Sequence, residues 1–259
     1  MRLQEEINGI LAIWYREWKV FLREKSRIVA SIVSPILWLV VFGGGLGSSV
    51  SVVGMNYQTF IYPGILAQAV IFSSIFFGVY IVWDRKIDFL KEVLVAPVSR
   101  TSIFVGKILG GATDSLIQVS ILLLVGLVLG RIGVIPGLHL GALSLLLSLL
   151  ILSLTTVAFV SLGLIIGSMM ESPEGFQLIS SFVVFPIFFL SGALFPINGL
   201  PAWLAPFTFL DPLTYAIDAL RHVVLGASQF QVAFDLGILG AFTALVICAG
   251  TVAFDRMKV

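Results

Sequence analysis

The sequence predicts an all-α polytopic membrane protein. Six transmembrane helices are expected, with an N-terminal amphipathic interfacial helix, a short charged helix after the second span, and re-entrant or interfacial helices between the fifth and sixth. Three observations carry this. Hydrophobic residues make up 59% of the 259 positions and charged residues 11%, less than half the ~25% usual in a soluble domain, and the mean hydropathy is +1.10. Several stretches are almost free of charge and long enough to span, since ~20 apolar helical residues cross a hydrocarbon core of ~30 Å. The basic residues, finally, crowd onto one set of connections.

The spans fall at 28–47, 59–83, 103–130, 138–168, 177–195 and 236–254, separated by Gly, Pro and charge, as in "GGGLGSS" after the first and "RIGVIPG" after the third. The third and fourth are longer than a bilayer requires, so tilted or interfacial ends are expected. With the N-terminus inside, thirteen Lys and Arg lie on inner segments and two, Arg131 and Arg221, on outer ones. That bias places both termini in the cytoplasm, and the cell (plasma or inner) membrane is the expected location. A net charge of +1 gives no field for nucleic acid, and the single Cys248 cannot form an internal disulfide. Ten charged side chains in the first 27 residues do not resemble a cleaved signal peptide.

Within 1–27, Ile7, Ile10, Leu11, Trp14, Trp18, Phe21 and Leu22 form one helical stripe, with Arg16, Lys19, Arg23 and Glu24 mostly off it. Basic flanks and two Trp suit a helix lying on the inner membrane surface; a soluble helix docked on a partner is the alternative. Within the outer segment 196–231, Asp211 can cap a helix that begins at Pro212 and stops at Gly226. Its ~21 Å is too short to span. Leu213, Ile217, Leu220 and Val224 form its apolar stripe, and Asp218, Arg221 and His222 lie opposite, with Asp218 and Arg221 spaced to pair.

One inner stretch stands apart. "DRKIDFLKEVLVAPVSR", 84–100, carries seven charged side chains in seventeen positions. Ile87, Leu90 and Leu94 recur at helical spacing, with Arg85, Asp88 and Glu92 around them. Pro97 ends the helix, because it lacks an amide donor and disfavours helical geometry before it; Ser99 or Thr101 can cap the next. Pattern alone leaves two readings: a solvated connector, or a rigid element made to be pushed on.

This stretch resembles the cytoplasmic loop of ABC exporter permeases of the transmembrane type-2 class, where an acidic residue, a short apolar run and P-x-S-R follow the second span: here Glu92, Val93 to Ala96, and Pro97 to Arg100. "SGALFPINGLPAWLAPFTFLDPLTYAIDALRHVVLG", 191–226, is similar to the outer segment of the same family, with its P-L-T-Y-x-I-D-x-L-R core. The resemblance covers essentially the whole chain. It implies that 84–100 seats in a cleft of an ATP-binding subunit, with Ile87, Leu90 and Leu94 filling the cleft, Arg85, Glu92 and Arg100 fixing register at its rim, and Pro97 closing the motif. It also implies a second copy of the permease, with the substrate route around their interface, and an outer helix or gate carrying Asp211, Pro212, Tyr215, Asp218 and Arg221. The chain has no G-x-x-x-x-G-K-[ST] phosphate loop. ATP and Mg are therefore expected on the partner ATPase, with no cofactor and no catalytic residue here.

Asp114, in the third span, is a functional candidate by its place alone; a transport role and a structural one stand level, with Lys107 and Gln118 near its face. Phe182, Phe185 and Phe189 share a face of the fifth span and line a greasy route or merely pack, while Pro186 permits a kink. His139 and His222 lack ligand spacing, so no metal is expected. An ion-coupled transporter would need several intramembrane carboxylates and paired broken helices. A membrane enzyme would need a catalytic constellation that is missing. The expected cargo is a hydrophobic or amphipathic drug-like or lipid-like molecule, with lipid-linked polysaccharide as the alternative.

Overall fold

The computed structural model describes residues 2–47, 49–95, 98–198 and 200–257, with all side chains of its helices and strands except those of Arg2, Leu90, Lys91 and Leu94. Six helical spans are long and apolar enough to cross a membrane: Lys25–Gly47, Tyr57–Lys86, Arg100–Arg131, Ala142–Met169, Pro173–Leu190 and Val232–Asp255. The protein is an all-α polytopic membrane protein. In chain order, α1 (Arg2–Arg23) precedes the first span, made of α2 (Lys25–Leu37), a π-helical turn at Trp38–Phe42 and α3 (Gly43–Gly47). The second span is α4 (Tyr57–Phe76) and α5 (Val79–Lys86), followed by the short α6 (Phe89–Val95). The remaining spans are α7 (Arg100–Arg131), α8 (Ala142–Met169), α9 (Pro173–Leu190) and α12 (Val232–Asp255), with α10 (Ala205–Leu210) and α11 (Pro212–Leu225) between the last two.

The span boundaries follow local chemistry. Ser99 accepts a bond from Ser102 N at 3.1 Å and opens α7, and Ser172 accepts from Gly175 N at 3.0 Å and opens α9 four residues earlier than hydropathy alone places it. α9 runs unbroken through Pro186 and ends at Leu190, because Gly192 takes a φ of +72° and turns the chain out of the helix. At the same end of the molecule, a two-strand hairpin of β1 (Ser51–Val52) and β2 (Met55–Asn56) turns through Val53 and Gly54, both with positive φ.

Packing separates inner from outer spans. Of the most apolar window in each, 67% is buried in the second span but 17% in the first, 28% in the fifth and 22% in the sixth. α4 and α8 thus form the centre, with α7, α11 and α12 around them, while α2 and α9 lie at the side with apolar faces outward. The centre is held by backbone-to-backbone contact. A side chain at Gly78, Gly163 or Gly167 would drive into the carbonyl of Gly163, Ile75 or Gly78 respectively, so α8 lies directly on the α4–α5 junction.

Two expectations are corrected. The short helix expected to carry Ile87, Leu90 and Leu94 does not begin before Phe89: α5 ends at Lys86, Asp88 takes a φ of +59°, and α6 begins at Phe89. Ile87 is therefore outside α6, 64% exposed, and cannot share a helical stripe with Leu90 and Leu94; the side chains of those two, and Pro97, lie outside the described residues. Nor is the polar face expected on α11 open as a whole: of Asp218, Arg221 and His222, only His222 is exposed. The helix starts at Asp211–Pro212 and stops at Gly226 as the sequence indicates, but Asp218 and Arg221 are buried along with its apolar stripe.

Gly163→Ala places a methyl group against the Ile75 backbone and is expected to lower the thermal midpoint of the detergent-solubilised protein, at a cost of about 1–3 kcal/mol for overpacking. Gly237→Ala, which points into open space, is expected to leave the midpoint unchanged. Equal behaviour of the two variants in a melting assay would contradict the close α4–α8 contact.

Candidate functional site

At the end of the bundle where α1, α5 and α6 meet the start of α7, four charged side chains from three helices converge. Arg16 of α1 grips Asp84 of α5 with both nitrogens, at 2.5 and 3.1 Å, and bonds Glu17 at 2.7 Å. Lys107 of α7 donates to Glu17 at 2.6 Å and to Asp84. The side chains of Glu17, Asp84 and Lys107 are 1%, 3% and 4% exposed. Two cations face two anions, which is what allows charge to remain in so dry a place; burial of an ion costs several kcal/mol unless it is matched.

The helices meet there because the sequence thins their backbones. Gly106 and Gly110 of α7 let Ile13 and Glu17 of α1 approach closely, and Trp14 donates its indole N–H to Thr113 Oγ1 at 2.9 Å. Near the first turn of α1, Glu6 accepts from Ser99 N at 3.0 Å and Ser99 Oγ at 2.9 Å. Bonds from Ser102 and Ser99 hold its carboxyl below the usual range. So α1 is docked on α7 through Ile10, Ile13 and Glu17, while Ile7, Leu11 and Leu22 face outward. α6 reaches the same cluster: the Arg16 guanidinium lies over the Phe89 ring, 4.3 Å from its centre, above an apolar cleft lined by Ile13, Val93, Val98 and Ile103.

The two arginines assigned to a rim are placed otherwise. Arg85 donates to Ser168 O at 2.8 Å and Met170 O at 2.9 Å, closing the C-terminus of α8. Arg100 donates to Phe254 O, Asp255 O and Met257 O at 3.2, 2.8 and 3.0 Å, closing that of α12. Cations at helix C-termini satisfy orphan carbonyls and oppose the dipole. Glu92 of α6 is exposed.

Asp114 does not pair with Lys107. Its partner is Arg27, at the start of α2, at 2.5 Å; Arg27 also bonds Glu24 at 3.3 Å and the Tyr80 hydroxyl, which donates on to Glu24. Above this second cluster, a cavity of about 560 Å³ opens between α2, α4, α7 and α9. Trp38, Phe72, Phe185, Phe188 and Phe189 form its walls, and Gln68, Ser73 and Gln118 supply polar atoms. Phe185 and Phe189 stack at 6.3 Å. Phe182 is 71% exposed and does not line the cavity, whereas buried Phe188 does.

At the opposite end, α11 acts as a clamp. Asp211 caps it through Leu213 N at 2.9 Å, and burial pushes that carboxyl up to about 8, with the Leu213 bond opposing. Tyr215 donates to Phe209 O at 2.6 Å. Asp218 receives the amides of Gln229 and Phe230 at 2.9 Å each, while Arg221 donates to Gly192 O at 2.6 Å over the Phe60 ring. Among the described residues no ion pair joins Asp218 to Arg221. Each buried charge is met by backbone instead. Asp235, in the first turn of α12, is fully buried with neither oxygen bonded to protein, and nothing in the sequence pattern singles it out. No group of three or more His, Cys, Asp and Glu suited to a metal occurs among the described residues.

Six spans, an aromatic cavity between four of them and paired charge clusters make this a multi-pass membrane protein. A family model described as "ABC-2 type transporter" matches residues 8–225, and the chain belongs to that family. It is 28% identical to "Nodulation protein J" of Rhizobium meliloti over 95% of this chain and 92% of the relative. It is 31% identical to "Putative transport permease ycf38" of Cyanophora paradoxa, over 93% and 85%. It is also 30% identical to "Probable doxorubicin resistance ABC transporter permease protein DrrC" of Mycobacterium tuberculosis, over 85% and 76%.

Lys107→Met leaves Glu17 and Asp84 facing one guanidinium, and the folded protein is expected to lose about 3–5 kcal/mol, read as earlier aggregation on heating in detergent. Combining it with Asp84→Asn restores one cation to one anion and is expected to recover most of the loss. A double variant no more stable than the single one would show that these charges are not coupled.

Proposed function

We propose that this chain is the membrane subunit of an ATP-driven exporter, which moves a hydrophobic or amphipathic molecule out of the cytoplasm or the inner leaflet of the cell membrane. It works with a second copy of itself and with a separate ATPase subunit that carries ATP and Mg. The observation that carries this reading is α6: a short charged helix between two spans whose Phe89 rests on the Arg16–Glu17–Asp84–Lys107 cluster. Force applied to α6 reaches α1, α5 and α7 together. The thirteen-to-two distribution of Lys and Arg supports putting that end, and both termini, in the cytoplasm. The outward apolar faces of α2 and α9 support a second copy beside them.

The drug for which one relative is named and the aromatic walls of the cavity favour a drug-like or lipid-like cargo over a lipid-linked polysaccharide. An ion-coupled mechanism is disfavoured because Asp114 is locked to Arg27. In the proposed assembly α6 seats in a cleft of the ATPase. Interface energy concentrates in a few buried anchors, so Leu90→Ala and Leu94→Ala are expected to release the ATPase or to uncouple hydrolysis from transport, more severely than Lys91→Ala. Copurification with the ATPase and transport in reconstituted vesicles provide the readout. If both leucine variants bind and transport like the parent, α6 is only a connector.

A further inference from the structure

The cavity between α2, α4, α7 and α9 has walls and floor of opposite chemistry. Its walls are aromatic. Its floor holds Gln118, 1% exposed, with neither its amide nitrogen nor its oxygen bonded to any protein group, and Gln68, also buried, with an unbonded oxygen. These two residues come from different spans, α7 and α4, and line one cavity, with their unbonded amide atoms buried just behind its surface. A buried amide left unsatisfied costs about 1–3 kcal/mol, so a side-chain rotation that turns these amides onto a polar visitor in the cavity would remove that cost.

Three of the other polar groups there, Arg27, Ser31 and Ser73, are already engaged, and Ser34 is exposed. Arg27 is bonded to Asp114, Glu24 and Tyr80. Ser31 donates to Ile28 O at 2.9 Å, and Ser73 to Val70 O at 3.2 Å and Ser115 Oγ at 2.8 Å. What remains is neutral and can both donate and accept. A charged head entering this space would lose its hydration and find no free counter-charge, which is costly. A hydroxyl or an amide would find both kinds of partner.

We propose that Gln118, with Gln68, forms a polar subsite that selects amphipathic cargo by an uncharged hydrogen-bonding head, such as a hydroxyl, carboxamide or sugar group, while the apolar tail lies along Phe72, Phe185 and Phe189. The inference rests on the reading of this cavity as part of the cargo route. Gln118 and Gln68 are the specificity-determining residues; the aromatic walls accept any tail that fits.

The test uses the whole permease in lipid nanodiscs and three photoreactive probes with one shared diazirine-bearing acyl chain: a monoacylglycerol, the choline ester and the lysophosphatidate. The readout is the ratio of cross-linked peptide from α4 and α9 between probes, which does not depend on how much protein is folded. The monoacylglycerol is expected to label about tenfold more than either charged probe, and Gln118→Leu to abolish that preference, as loss of one or two hydrogen bonds would. Gln118→Glu, nearly isosteric, is expected to invert the preference toward the choline ester. Equal labelling by all three probes in the parent, or ratios unchanged in both Gln118 variants, would overturn the proposal. Failure of the underlying reading has a different signature: the expected probe ratios, but transport by the reconstituted permease–ATPase pair that is indifferent to Gln118→Leu and to Phe185→Ala.

Discussion

Lys107 sits almost wholly buried between two carboxylates that belong to two other helices, and much of that end of the protein is arranged around this fact. An ammonium in an apolar bundle is tolerated only if matched, and the match must come from elements that cannot drift. α1 supplies Glu17, so it must lie close to α7, which Gly106 and Gly110 allow. α5 supplies Asp84, so the second span must continue past its kink to Lys86. Arg16 then balances the extra anion and gives α6 its seat through Phe89. An amphipathic helix, the end of one span and the start of another thereby become one body.

The opposite end solves the same problem in another way. Arg221 and Asp218 are as dry as Lys107, yet they are met by backbone carbonyls and amides rather than by each other. Arg221 fixes the turn after α9 and Asp218 fixes the approach to α12. α11 thus holds together the two chain segments on either side of it. Between the two ends lies the aromatic cavity, with the neutral carboxamides of Gln68 and Gln118 in its lining.

The spans were legible because length and hydropathy determine them, and several boundaries because Ser99, Asp211 and Gly226 write caps directly into the chain. Residues 84–100 were misread for a local reason: the pattern is helical, but nothing in it announces the positive φ at Asp88. The helix-capping bonds of Arg85 and Arg100 were not legible for a non-local reason, since the carbonyls they cap belong to helices that arrive tens of residues later. Phe182 and Phe188 exchanged roles because a helical face is set by its neighbours, and Phe185 and Phe189 alone do not say to which side the cavity lies. The signal for Gln68, Gln118 and Glu17 was present. Each is a polar residue on an apolar helical stripe, and such residues in membrane helices point inward.

The claim on which the account depends most is that α1, α5 and the start of α7 move as one unit when α6 is pushed. Electron–electron distance measurements address it directly, with spin labels at exposed Lys19 of α1, Leu109 of α7 and Phe182 of α9, in the reconstituted permease–ATPase assembly with and without ATP. The account expects the Lys19–Leu109 distance to stay constant through the cycle while the distance from either to Phe182 changes. A Lys19–Leu109 distance that shifts with nucleotide, against a fixed distance to Phe182, would contradict it.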